Sequence, residues 1–186
     1  MANYGQLSSQ QRDAIHKALP RLYKFALVLT ANEELARGLL RGTVKAMNTR
    51  SEWREEDTYR LTIAFRRMYA LWSAKMDEGT GIQRKCPPDP RLFASAFTKG
   101  PLAGNLQFGK FIANLAPAQR GALYLVYGEG ASYDEAAEIT ALNMLALMKL
   151  LARGHLAMTH WLDQRGLAED GKRFELNPYL EQERAA

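Results

Sequence analysis

Residues 116 to 155, APAQRGALYLVYGEGASYDEAAEITALNMLALMKLLARGH, decide the fold: they read as helix, glycine turn, short helix, tight turn and long helix. This is the layout of a helix-turn-helix module, and it makes nucleic acid the first partner to consider. Pro117 suits the first position of a helix, and Gly128 and Gly130 are expected to stop it. Ser132 and Glu135 form a capping box for the next helix, in which Ala136, Ala137 and Ile139 turn inward while Asp134, Glu135 and Glu138 face water. Asn143 is placed to cap the last helix.

That last helix is unlike a recognition helix, which presents polar and basic side chains to bases and phosphates. Met144, Leu145, Leu147, Met148, Leu150, Leu151, Leu156, Met158, Trp161 and Leu162 cover most of its circumference, and only Lys149, Arg153, His155 and His160 offer cationic or donor groups. A helix apolar on so many sides is covered twice, either inside an all-α core or by a partner.

The chain has 186 residues, enough for one or two small helical domains. No run approaches the ~18 apolar residues of a membrane span, and no signal peptide stands at the start, so a cytoplasmic protein with no membrane partner is expected. Cys86 is the only cysteine and the three His are scattered, so no intrachain disulfide, metal site or cofactor is expected. There is no G-x-S-x-G, P-loop or HExxH, and the GEG at 128 to 130 lacks a nucleotide loop's context. An enzyme with a small-molecule substrate is therefore not expected.

The net charge of +5 is unevenly spread: residues 1 to 76 carry 13 Lys/Arg against 7 Asp/Glu, whereas residues 106 to 186 carry 8 against 10. Phosphate affinity comes from clustered cations, so the N-terminal half should make most of any nucleic-acid contact. That half reads as three helices, over residues 10 to 29, 30 to 48 and 57 to 76. Thr30 with Glu33 suggests a capping box for the second, and Asp57 a cap for the third. The third buries Leu61, Phe65, Met68 and Trp72 and carries Arg60, Arg66, Arg67, Tyr69 and Lys75. Interleaved cations and aromatics suit phosphates and unpaired bases; a solvated basic face with Tyr69 and Trp72 in the core fits equally well. Residues 77 to 105 are a Pro/Gly-rich linker in which DPRLFASAF has the apolar content for a short docking helix.

The segments LYKFALVLTANEELARGLLRGTVKAM and TYRLTIAFRRMYALWSAK, then a linker, then LAPAQRGALYLVYGEGASYDEAAEI together resemble the extracytoplasmic-function class of sigma-70 factors over most of residues 12 to 160. The resemblance implies an all-α chain. It would have a region-2-like three-helix domain (1-76), a linker (77-105), a region-4-like helix-turn-helix domain (106-163) and a C-terminal tail (164-186). Its implied function is bringing RNA polymerase to promoter DNA in transcription initiation, under control of an anti-sigma factor in stress response. The DNA-binding residues it implies are Arg60, Arg66, Arg67, Tyr69, Trp72, Lys75, Lys149, Arg153 and His155; the partner-binding ones are Leu39, Leu40, Arg41, Leu147, Leu150 and Leu151.

Two blocks depart from the family pattern. Gly38, Arg41, Gly42 and Thr43 stand where the family has an acidic residue and Gln-Glu-Thr for the polymerase clamp. Residues 145 to 150, LALMKL, replace a Gly-Thr-Val-Arg/Lys-Ser-Arg pattern that touches DNA. These departures leave a second reading beside the first: a sigma mimic that binds an anti-sigma protein without binding DNA. Both readings predict a closed free form, with the last helix hiding its apolar face against residues 12 to 76.

Overall fold

The structure, a computed structural model, describes residues 9–48, 57–77, 89–97 and 104–164. The caps of Asp57, the side chain of Arg60, Cys86 and the tail anchors Phe174, Leu176, Tyr179 and Leu180 lie outside what is described. Among the described residues the fold is all-α, with no strand: α1 (Ser9–Thr30), α2 (Glu33–Asn48), α3 (Asp57–Asp77), α4 (Pro90–Ala96), α5 (Leu106–Ala113), α6 (Pro117–Leu123), α7 (Tyr133–Thr140) and α8 (Met144–Asp163). The chain forms two compact units, Met1–Gly154 and His155–Ala186. The described part of the second is the end of α8 and Gln164.

In the first unit α1 is the central element, packing on α2, α3, α4 and α6, while α3 also meets α7 and α4 pairs with α5. Phe25 of α1 joins these layers: its ring lies edge-on to Phe65 of α3 at 5.1 Å and stacks on Tyr124 at 5.8 Å. Tyr124 continues to Phe97 at 5.4 Å, and Phe97 to Phe108 of α5 at 5.2 Å. Aromatic pairs of this kind contribute about 0.5–1.5 kcal/mol each beyond the area they bury.

The linker helix forms as its composition suggested. Asp89 caps α4 by accepting from the Arg91 N–H, Pro90 occupies the first turn, and Phe93 is fully buried. Gly109 of α5 lies so close to α4 that a Cβ there would stand 2.2 Å from the Pro90 carbonyl oxygen.

Three local expectations are corrected. The α2 cap is Asn32, whose side chain accepts from the Leu35 N–H at 2.9 Å. Thr30 still belongs to the last turn of α1, so its hydroxyl bonds back to the Ala26 carbonyl at 2.7 Å and is not available to α2. Gly128 does not stop α6: the chain runs on as a π-helical turn, Tyr124–Glu129, and Gly130 ends it at φ +77°. Finally, it is α6 and α7 that dock onto α1 and α3, and among the described residues the part of the last helix up to Gly154 makes no comparable contact with them. The last helix instead buries Leu147 and Leu151, places Gly154 against Leu123 of α6, and leaves Leu145 and Met148 outside.

Candidate DNA- and partner-binding surfaces

The helix-turn-helix is built by short-range bonds. The Glu135 N–H donates to Ser132 Oγ at 3.2 Å and the Ser132 N–H to Glu135 Oε2 at 2.8 Å, closing the capping box. Ala136, Ala137 and Ile139 are buried. Ala141 ends α7 in the left-handed conformation at φ 54°, and Asn143 Oδ1 then accepts from the Ala146 N–H at 2.8 Å to start α8.

On α8 the outward face mixes apolar and basic side chains. Leu145 is 63% and Met148 49% exposed, whereas Leu147 is 0% exposed. Lys149 and Arg153 are exposed and Leu150 is half-buried. His155, in the second unit, is half-buried, and burial lowers its pKa. Of the residues named for partner binding on α8, Leu147 and Leu151 therefore belong to the core, and the surface the sequence did not single out is Leu145 with Met148.

On α3, Arg66 and Lys75 are exposed and Arg67 is half-buried. Arg66 reaches Glu138 of α7 at 3.4 Å, an exposed pair of small energetic weight. Tyr69 and Trp72 are both 9% exposed and lie ring against ring at 5.3 Å. They are core residues in this form, not an open stacking platform. On α2, Leu39 is buried, Leu40 half-buried and Arg41 exposed. Beside Arg41, Gly38 and Gly42 stand on the helix surface, with nothing nearer than 4.0 Å to an added Cβ.

Sequence reasoning missed the junction between the two halves. Glu129, whose side chain is only 7% exposed, accepts from Arg21 Nε of α1 at 2.6 Å and from the Tyr124 hydroxyl at 2.6 Å. Burial, with the Glu129 charge and hydrogen bond behind it, pushes the Tyr124 phenol well above its ordinary pKa. Arg120 of α6 is buried: its Nε donates to the Val28 carbonyl at 3.0 Å and its terminal nitrogens to Leu115 and Leu29 carbonyls at 3.3 and 3.4 Å. Its guanidinium carbon stands 5.0 Å from the Phe93 ring centroid, and burial lowers its pKa to about 10. The one available signal was an arginine inside an otherwise apolar helix. A cavity of about 230 Å³, lined by Arg21, Leu61, Phe65, Glu129, Glu135 and Ile139 among others, opens beside the Arg21–Glu129 pair. Among the described residues no cluster of metal-ligating side chains forms, and no helix is long and apolar enough to cross a membrane.

No family model matches the chain, and no curated protein matches it. A solved structure does: the sigma factor RpoE from Bartonella quintana, crystallised in complex with the anti-sigma factor NepR, superposes with a TM-score of 0.60. The match covers 84% of this chain and 98% of that one at 19% identity, a likeness of fold. The all-helical architecture built around α1, α3 and the helix-turn-helix is thus a sigma-factor-like fold.

Proposed function

We propose that this chain is a sigma-like transcription regulator that binds an anti-sigma protein and does not itself read promoter DNA. The observation that carries this reading is the outward face of α8, where Leu145 and Met148 stand in place of groups that bond to bases and phosphates. Such a face suits the apolar side of a partner protein. Three further observations support it. Tyr69 and Trp72 are buried, Gly38, Arg41 and Gly42 replace the acidic polymerase-contacting pattern, and the similar RpoE structure holds an anti-sigma factor. Residues 1 to 76 and 106 to 163 act as region-2-like and region-4-like modules, with the linker and tail outside them.

The basic face of α3, Arg66 with Arg67 and Lys75, favours a second reading: a divergent sigma factor that carries RNA polymerase core to promoters. Arg60, Lys149, Arg153 and His155 would then join it at the DNA. The test mixes the purified chain separately with anti-sigma protein from the same cell and with core polymerase, then resolves the complexes by size. A complex with the anti-sigma protein alone, weakened at least tenfold by Leu145→Glu or Met148→Glu, is expected. Promoter-dependent RNA synthesis with core polymerase, lost in Arg66→Ala/Arg67→Ala, would establish the sigma factor and sink the mimic.

A further inference from the structure

Among the contacts that join the helix-turn-helix half to the N-terminal half, two neighbouring residues of α6 stand out by their closeness and burial. Gly121 lies where α6 crosses α1 and α3: a Cβ there would meet Leu29 Cδ2 at 2.9 Å, Phe25 Cε2 at 3.7 Å and Tyr69 Cε2 at 3.9 Å. A side chain at this position would push the Leu29 methyl aside, so glycine eases the close approach of the helices. The preceding Arg120 reaches the end of α1, donating to the Val28 and Leu29 carbonyls in its last turn. The helix dipole there is negative and suits a cation. The two ion pairs across the junction are weaker ties, because Arg21 and Arg66 are each about half exposed in their pairs with Glu129 and Glu138.

The same junction carries two buried polar side chains, one of them without a hydrogen-bond partner among the described residues. Arg120 is buried against backbone carbonyls and the Phe93 ring, with no carboxylate among the described residues in an ion pair with it. Trp72, packed on the Tyr69 ring that Gly121 touches, has its indole N–H buried with no acceptor among the described residues. Each raises the free energy of the closed form relative to one in which water reaches the group. Against them stands the apolar contact of Phe25 with Tyr124, which parting the helices would expose.

We propose that Arg120 and Gly121 form a latch that closes α6 and α7 over α1 and α3, and that this latch releases in a step separate from global unfolding. Release uncovers Tyr69 and hydrates the Arg120 guanidinium and the Trp72 N–H, while α1, α2 and α3 stay packed through their own core. The device does not depend on which partner the chain engages.

Native-state amide hydrogen exchange of the full chain across low denaturant concentrations tests this without a substitution. Amides of residues 117 to 140 are expected to exchange through an opening of shallow denaturant dependence, at least tenfold faster than the α1 core around Phe25. Exchange of both segments with one rate and one steep dependence would overturn the latch. Arg120→Met, which keeps the side chain's bulk and removes its donors, is expected to raise the 117 to 140 rates at least tenfold further with α-helical content retained. Equal acceleration in α1 and α2 would show that Arg120 stabilises the whole fold and is no latch.

Discussion

The Tyr124 ring lies directly on the backbone of Gly128. A Cβ on Gly128 would stand 2.7 Å from Tyr124 Cδ2 and 3.0 Å from Cε2, inside any permissible contact. Because Tyr124 is also held by Phe25, Phe97 and Glu129, it cannot swing aside. Gly128→Ala is therefore expected to destabilise the chain by about 1–3 kcal/mol, the usual range for overpacking. Urea unfolding of wild type and variant checks this, and equal midpoints would show that the π-helical turn adapts.

The opposite sign is expected on α2. Gly38 and Gly42 lie inside a helix with open space or ordinary contact where a Cβ would stand. Alanine at either position should add roughly 0.8–1 kcal/mol by helix propensity. For a chain of this size that is a rise of about 2–4 °C in Tm. A drop on thermal denaturation would mean that these glycines serve contacts the free chain does not make.

Ala141 holds φ at 54° between α7 and α8, a conformation that costs a Cβ-bearing residue about 1–2 kcal/mol. Ala141→Gly removes that strain, less the added entropy of glycine in the unfolded chain. The expected net effect is a small stabilisation of about 0.5–1 kcal/mol, read from the denaturant midpoint. Destabilisation would show that the turn relaxes in solution.

On α8 adjacent positions should separate cleanly. Leu147→Ala removes a fully buried side chain and should cost about 2–5 kcal/mol. Leu145→Glu and Met148→Glu, both on the exposed face, should change stability by less than about 0.5 kcal/mol. Calorimetric melting of the three variants measures the difference. Comparable losses at all three would place Leu145 and Met148 in a core and remove them from the proposed interface.

Alkaline pH should destabilise the fold. Burial raises the pKa values of Tyr69, Tyr124 and Tyr127 above the ordinary 10.0, so above that pH the unfolded chain releases protons that the native chain keeps. Arg120 acts in the other direction: with its native value near 10 and its ordinary value 12.5, it favours folding as pH rises between them. Three groups outweigh one, and Tm should fall steadily from pH 10 upward. Tyr124→Phe should flatten the slope, and a pH-independent Tm in that range would refute the burial of these phenols.

Much of the secondary structure was legible because its determinants lie within four residues of one another. The Ser132–Glu135 box and the Asn143 cap form where their spacing put them. The Thr30–Glu33 box failed for an equally local reason, since a threonine still inside α1 bonds back to the Ala26 carbonyl before it can serve α2. Gly128 was misread because π-helical continuation depends on where the Tyr124 ring must go, and the ring's seat between Phe25 and Phe97 is tertiary.

By itself, then, the sequence determined the helical period, the helix-turn-helix and its caps, and the predominantly apolar character of α8, all properties of neighbouring side chains and backbone. Tertiary structure alone decided which helices cover which. Arg120 meets the Val28 carbonyl across 92 residues and Arg21 meets Glu129 across 108, and no local pattern encodes either. It likewise made Tyr69 a core residue and left Leu145 and Met148 outside. The physical reason is that burial belongs to pairs of surfaces: a helix apolar on several sides can bury any of them, and the contacts of α6 and α7 with α1 and α3 select which faces remain for a partner.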